Sequence, residues 1–177
     1  VAHEVAQALN APLDIILVRK LGLPGHEELA MGAIASGDVL VLNDEVIQSL
    51  SIPQKLIDRV AERERQELER RERAYRGDKP RPELVGKTVI LVDDGLATGA
   101  SMRAAIAGVR AQDPTSIVVA VPTAAPETCE SFEELADEII CSATPQPFYG
   151  VGLWYENFSQ TTDDEVRALL EDVEMTR

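Results

Sequence analysis

The sequence predicts an α/β domain, a three-layer Rossmann-like arrangement of helices around a parallel sheet, and three observations carry that expectation. Apolar runs of strand length alternate with helical patterns along most of the 177 residues. One run, Val89-Ile90-Leu91-Val92, ends on two adjacent carboxylates, Asp93 and Asp94, and a Gly/Thr/Ser turn then feeds a helical pattern opening at Met102. A long charged helical pattern, over residues 53–75, interrupts the alternation. Parallel strands need crossover connections, and these are right-handed in nearly all known sheets.

Taken in order, Val1 to Asn10 reads as an amphipathic helix, with Val1, Val5, Ala8 and Leu9 at helical spacing. It starts without an initiator Met or lead-in, so the sequence is expected to begin inside a domain, after a strand and loop. Asn10-Ala11-Pro12 breaks that helix, and Leu13 to Val18 forms a strand ending at Arg19-Lys20. Residues 21–37 hold Gly22, Gly25, Gly32, Gly37 and Pro24, which suits a loop or irregular hairpin. A strand over 38–43 and a short helix over 44–50 follow. Ser51 as N-cap and Pro53 in the first turn start the long helix, which Arg76-Gly77 ends after Tyr75. Its half from Ala61 to Arg73 is nearly all charged, with pairs such as Glu67–Arg71 at i,i+4. A solvated, ion-paired helix is the expected result, and a lid or partner contact the alternative. Gly77 to Pro82 is a turn within the same domain. Lys87-Thr88 opens the central strand, 101–111 its crossover helix, 116–122 the next strand, 127–136 a helix and 138–141 a last strand. Residues 144–155 gather aromatics in a Pro/Gly-rich loop, and Thr162 caps a final helix running to about Val173.

The formal net charge of −14 argues against nucleic acid or an anionic membrane as main partner, so any anionic ligand needs a local basic patch. Cys129 and Cys141 form no CxxC pair, so neither zinc nor a disulfide is expected, and a reducing cytoplasm is the expected location. No run of about 18 apolar residues offers a membrane span. His3 and His26 lack metal-ligand spacing; His3 reads as a surface helix residue.

The chemistry gathers at Val89–Ser101. A strand followed by a turn at a helix start leaves unpaired backbone N–H groups and a positive dipole end, which together hold a phosphate. Asp93 and Asp94 would repel that phosphate unless they bind something else, such as sugar hydroxyls or Mg2+. A phosphate pocket beside a hydroxyl or metal pocket describes a sugar-phosphate site.

The run Val92-Asp93-Asp94-Gly95-Leu96-Ala97-Thr98-Gly99-Ala100-Ser101 resembles the signature of the type I phosphoribosyltransferases. Val18-Arg19-Lys20 is similar to the basic strand end of that family, and Gly150-Val151-Gly152-Leu153-Trp154-Tyr155 to its Gly-x-x-Leu-x-Tyr segment. The resemblance implies a single domain over 1–177, with 51–77 as insertion and 144–177 as C-terminal hood, lacking the family's first strand and diphosphate loop. It implies phosphoribosyl diphosphate as donor and Mg2+ as cofactor. Asp93 and Asp94 would hold the ribose hydroxyls, directly or through the metal. Ala97, Thr98, Gly99, Ala100 and Ser101 would wrap the 5′-phosphate, and Arg19 and Lys20 would face the diphosphate. Phe148, Tyr149 and Trp154 would border the acceptor, and the expected assembly is a homodimer. Ala97 stands where 6-oxopurine members carry an Asp, which disfavours those bases, and Trp154 departs from the Asp of some purine enzymes.

The family reaction is attack by a nitrogen nucleophile, usually of a nucleobase-like acceptor, on ribose C1 with loss of diphosphate. Two alternatives accompany it: a phosphoribosyl-diphosphate sensor without turnover, and a transferase-like domain of a larger, hydrolase-fused protein.

Overall fold

In a computed structural model describing residues 1–77 and 79–175, with side chains at 27–28 and 173–175 excepted, the chain forms two three-stranded sheets. Strands β1 (Val18–Leu23), β2 (His26–Ala35) and β3 (Val39–Leu42) are antiparallel neighbours in that order. Strands β4 (Thr88–Val92), β5 (Ser116–Thr123) and β6 (Glu138–Ala143) form the expected parallel sheet, in order β4-β5-β6. Helices α1 (Ala2–Leu9), α2 (Asp44–Ser49), α3 (Gln54–Arg76), α4 (Ala100–Arg110), α5 (Pro126–Ser131) and α6 (Asp163–Met175) complete it, with a 3-10 turn over Val151–Trp154.

The crossover helix α4 lies between the two sheets. Its Met102, Ala105, Ile106 and Val109 pack with Leu91, Ile117, Val119, Val121 and Phe132 in one core. Gly108 allows close approach to the hairpin sheet, since a Cβ there would lie 3.0 Å from that of Ala35. The opposite face of that sheet carries Leu21 and Ile34, which join Met31 and the α3 residues Ile57, Val60, Ala61 and Leu68 in a second core. The strands alternate as a pleat requires, Val18 and Ala35 toward α4, Leu21 and Ile34 toward α3.

Several expectations need correcting. Of the two readings of residues 21–37, loop or irregular hairpin, the second holds: β1 and β2 pair through them with register shifts at Gly22, Leu23 opposite His26 across the two-residue turn Pro24-Gly25. The strand expected over 13–18 begins only at Val18. The segment before it is held by Ser36, whose N–H donates to the Leu17 carbonyl (2.8 Å) and whose Oγ accepts from the Leu17 N–H (2.9 Å). Pro53, not Ser51, is the N-cap of α3, and Ser51 takes φ 49°. The charged half of α3 is not fully solvated either. Glu64 and Glu72 are buried in line with Ile57, Val60, Ala61 and Leu68, and ion pairs to Arg19 and Arg81 neutralise them. The helix expected over 127–136 ends at Ser131, after which a turn buries Phe132. Asp78, in the expected 77–82 turn, lies outside the described residues. Most directly, Cys129 and Cys141 are joined as a disulfide, contrary to the expectation from their spacing; the fold brings their Cα atoms to 6.6 Å.

Thr162 does cap α6: its N–H donates to Glu165 Oε2 (2.7 Å) and its hydroxyl accepts from the Glu165 N–H (3.3 Å), a reciprocal capping box. That helix meets α1, where His3 Nε2 stands 2.9 Å from Asp172 Oδ2 and Gln7 donates to the same oxygen at 3.3 Å. The hydrogen bond to Asp172 raises the His3 pKa above its ordinary 6.5, against a smaller opposing effect of burial; Glu4 adds to the rise. A raised folded-state pKa stabilises below the unfolded value, and the gain is lost as pH climbs through the raised value. The α1–α6 contact is therefore expected to be firmest in mild acid. In an NMR titration of the His3 ring, Asp172→Asn should bring its midpoint down; an unchanged midpoint would refute the pairing.

Candidate functional site

The site is built at the carboxyl end of β4, where Asp93 and Asp94 follow Val92 directly. Asp93 is half-buried, and its Oδ1 accepts the Asp94 N–H at 2.9 Å. Burial pushes its carboxyl above the ordinary 3.8; the neighbouring Asp94 charge adds to this, while the Asp94 N–H opposes it. Asp94 is exposed, and its backbone carbonyl accepts from the Tyr155 hydroxyl at 2.6 Å. The Tyr155 pKa is raised, first by burial and then by the charges of Asp94 and Asp93.

The turn that follows is fastened on both sides. The Leu96 N–H donates to the Thr123 carbonyl (3.0 Å) and the Leu96 carbonyl accepts from the Ala125 N–H (2.9 Å), which extends the β4–β5 pairing past the carboxylates. The Thr128 hydroxyl of α5 donates to the Ala97 carbonyl at 2.6 Å. Gly99 takes φ +71°, a left-handed conformation natural to glycine, and turns the chain into α4. A Cβ there would lie 2.5 Å from Phe132 Cε2, so the loop sits directly on a buried ring. The Arg103 N–H is the first to bond back, to the Gly99 carbonyl (2.9 Å), and no side chain caps the helix. The N–H groups of Ala100, Ser101 and Met102 are thus left for a ligand. The dipole end favours an anion.

The fold therefore gathers Asp93, Asp94, Ala97, Thr98, Gly99, Ala100 and Ser101 into one turn, as their spacing in the sequence requires. The aromatic residues divide. Phe148 is half-buried, whereas Tyr149 (80% exposed) and Trp154 (49%) are open to solvent. Trp154 leads into Tyr155 and so adjoins the contact with Asp94. The two basic residues point apart. Arg19 Nε and Nη2 both donate to Glu64 Oε2, at 2.9 and 2.6 Å, on the face covered by α3. Lys20 lies on the other face with Val18, is exposed, and makes no ion pair among the described residues. Of the two residues expected to face the diphosphate, Arg19 is thus engaged by Glu64, and Lys20 by no carboxylate among the described residues.

Sequence reasoning missed three participants. Tyr155 was visible only as the end of the Gly-x-x-Leu-x-Tyr segment, while Thr128 and Phe132 bear no motif because their roles depend on how α5 packs. For a metal, the donors are the two carboxylates alone; no cluster of three or more such ligands occurs among the described residues. Such a pair fits Mg2+ only where ligand oxygens and water complete the shell, which is the usual manner of Mg2+ beside phosphates.

Comparison with known proteins points to one family. A protein-family model described as the phosphoribosyl transferase domain matches residues 33–146. The chain is 44% identical over 171 residues to "Putative phosphoribosyl transferase Rv0571c" of Mycobacterium tuberculosis H37Rv, covering 97% of this chain and 39% of that protein. The figures are the same for "Putative phosphoribosyl transferase MT0597" of Mycobacterium tuberculosis CDC 1551. This chain thus spans 39% of the length of these relatives. The crystal structure of TT1426 from Thermus thermophilus superposes with a TM-score of 0.82 at 42% identity, over 96% of this chain and 80% of that one. The family match runs through α3 and across the whole β4–α4 turn, and on that ground the chain belongs to the type I phosphoribosyl transferase domain family.

Proposed function

We propose that this domain binds phosphoribosyl diphosphate with Mg2+ and transfers ribose 5-phosphate to a nitrogen nucleophile of a nucleobase-like acceptor. One observation carries the proposal: a carboxylate pair and an uncapped helix start are held on a single braced turn, Asp93 to Ser101. The carboxylates take the 2′- and 3′-hydroxyls, and the N–H groups and hydroxyls of Thr98 to Ser101 wrap the 5′-phosphate. Lys20, the uncommitted cation of β1, takes the diphosphate side. The acceptor nitrogen attacks C1 with its lone pair as the C1–oxygen bond breaks, diphosphate leaves with the electrons of the broken bond, and a neutral acceptor gives up its N–H proton to water. Residues that hold donor and acceptor in line supply most of the gain in such a displacement. Bound Mg2+, held by Asp94 and Asp93 with substrate oxygens, would supply charge neutralisation of the leaving group. Ala97 offers no carboxylate to an acceptor base, which supports acceptors other than 6-oxopurines; Phe148, Tyr149 and Trp154 are the side chains proposed to border it.

The greater length of the relatives favours one further reading, in which the transferase domain works beside another activity in a larger protein. Calorimetry of the full-length protein with phosphoribosyl diphosphate and Mg2+ tests what both readings share. Asp94→Asn removes the charge from a hydrogen-bonding pair worth about 1.5–3 kcal/mol, so affinity should fall by about tenfold or more. Absence of binding by the wild type, or binding indifferent to Asp94→Asn, would sink the proposal. Diphosphate release across a panel of bases and amines then separates a transferase from a sensor.

A further inference from the structure

We propose that Cys129 and Cys141 form a reversible thiol–disulfide site that sets the stiffness of the phosphate loop and, through it, affinity for a phosphate ester. The brace follows from contacts within the chain; its effect on affinity rests on the sugar-phosphate reading of the loop.

Helix α5 stands between the loop and the disulfide. Toward the loop, Thr128 donates to the Ala97 carbonyl at 2.6 Å, and Phe132, just past the helix, lies under Gly99. Arg103 of α4 reaches the same helix, donating to Ser131 Oγ at 2.6 Å with its guanidinium 4.7 Å from the Phe132 ring centroid. Toward the sheet, Cys129, the residue after Thr128, is bonded to Cys141 of β6. A six-residue helix without a side-chain cap has little stability of its own. Its position, and with it that of Thr128, depends on what it is fastened to. The disulfide is the covalent fastening, one residue from the hydroxyl that holds the loop.

Both cysteines are half-buried at the edge of the core, within reach of a small thiol. In forming the bond, the two thiols together give up two protons and two electrons to an oxidant such as a small-molecule disulfide, which leaves as two thiols. A dithiol reductant reverses it. Its thiolate attacks one sulfur to give a mixed disulfide, its second thiol displaces the protein, and both cysteines return as thiols while the reductant becomes the disulfide. In a reducing compartment the loop would be loosened, and under oxidation it would be clamped.

The test compares full-length protein treated with glutathione disulfide and with dithiothreitol, scored by thiol alkylation, amide hydrogen exchange over 97–101, and affinity for ribose 5-phosphate. Cys129 and Cys141 should take no alkyl label in oxidised protein and one each in reduced protein. On reduction, exchange across the loop should quicken and affinity fall by about fivefold, the equivalent of one neutral hydrogen bond. Cys141→Ser should behave as reduced protein under both treatments, and Thr128→Val should exchange fast even when oxidised. Cys129 and Cys141 still labelled after oxidation, or loop exchange equal in the two states, would overturn the proposal. Faster exchange with equal affinity would also overturn it, because the loop would then not govern the ligand. Faster exchange with no ribose 5-phosphate binding in either state would uphold the brace and bring down the sugar-phosphate reading instead.

Discussion

Gly99→Val is expected to abolish measurable phosphoribosyl diphosphate binding and to lower stability by about 3 kcal/mol. Two costs combine. A β-branched residue at φ +71° stands in a conformation that costs L-residues about 1–2 kcal/mol, and crowding a packed core costs typically about 1–3 kcal/mol more. The crowding is specific: the new Cβ would lie 2.5 and 2.7 Å from Phe132 Cε2 and Cζ and 3.2 Å from Thr128 Cγ2. Phe132 has no solvent exposure and shares its core with Leu91, Leu96 and Val119, so its ring has nowhere to swing. Relief comes from moving the loop instead. That displaces the Ala97 carbonyl from Thr128 and the N–H groups of Ala100 and Ser101 from the phosphate. Gly99→Ala should show the same loss in milder form, and adding Phe132→Leu should recover stability more than affinity, since space returns while backbone strain stays. Urea unfolding and calorimetry measure the two effects separately, and near-wild-type binding by Gly99→Val would exclude the loop as the phosphate site.

The parts of the molecule legible in the sequence are those whose signal is local. Val89 to Ser101 declares strand, carboxylates, turn and helix start within thirteen residues because each depends on neighbours in the chain, and the β4–α4 turn follows that order. The irregular hairpin over 21–37 could not be told from a loop because its glycines break periodicity, although Pro24-Gly25 makes a tight two-residue turn between paired strands. The disulfide was hidden for a different reason. Cys141 lies twelve positions after Cys129, and only the fold brings them together. Thr128 and Phe132 escaped in the same way, as did the partner of Arg19. A run of alternating Glu and Arg gives no sign of which carboxylate turns inward.

Glu64 turns inward, and Glu64→Ala is expected to cost about 2–3 kcal/mol of stability. Removing one partner of a buried ion pair strands the other charge at about 3–5 kcal/mol, and partial access of water to the guanidinium reduces that here. The Glu64 side chain is 8% exposed and that of Arg19 31%. Arg63 also donates to Glu64, Nε to Oε1 at 3.0 Å, so the carboxylate gathers two guanidiniums over the apolar stripe of α3. Glu64→Gln keeps the shape and one acceptor and should lose less. Replacing Arg19 and Glu64 together by Met and Leu should recover much of the loss, because the cost lies in the unpaired charge rather than in absence of the pair. Function separates two roles for Arg19. If its guanidinium only supports the hairpin sheet, the Met/Leu double variant should bind phosphoribosyl diphosphate as the wild type does. If Arg19 leaves Glu64 to meet the diphosphate, that variant should lose affinity for phosphoribosyl diphosphate and keep it for ribose 5-phosphate, which lacks the leaving group. Glu64→Gln, which weakens the hold on Arg19, should then bind the diphosphate-bearing donor more tightly than the wild type. The two ligands and these two variants thus decide whether the buried carboxylate is a strut for β1 or a rest position for a catalytic cation.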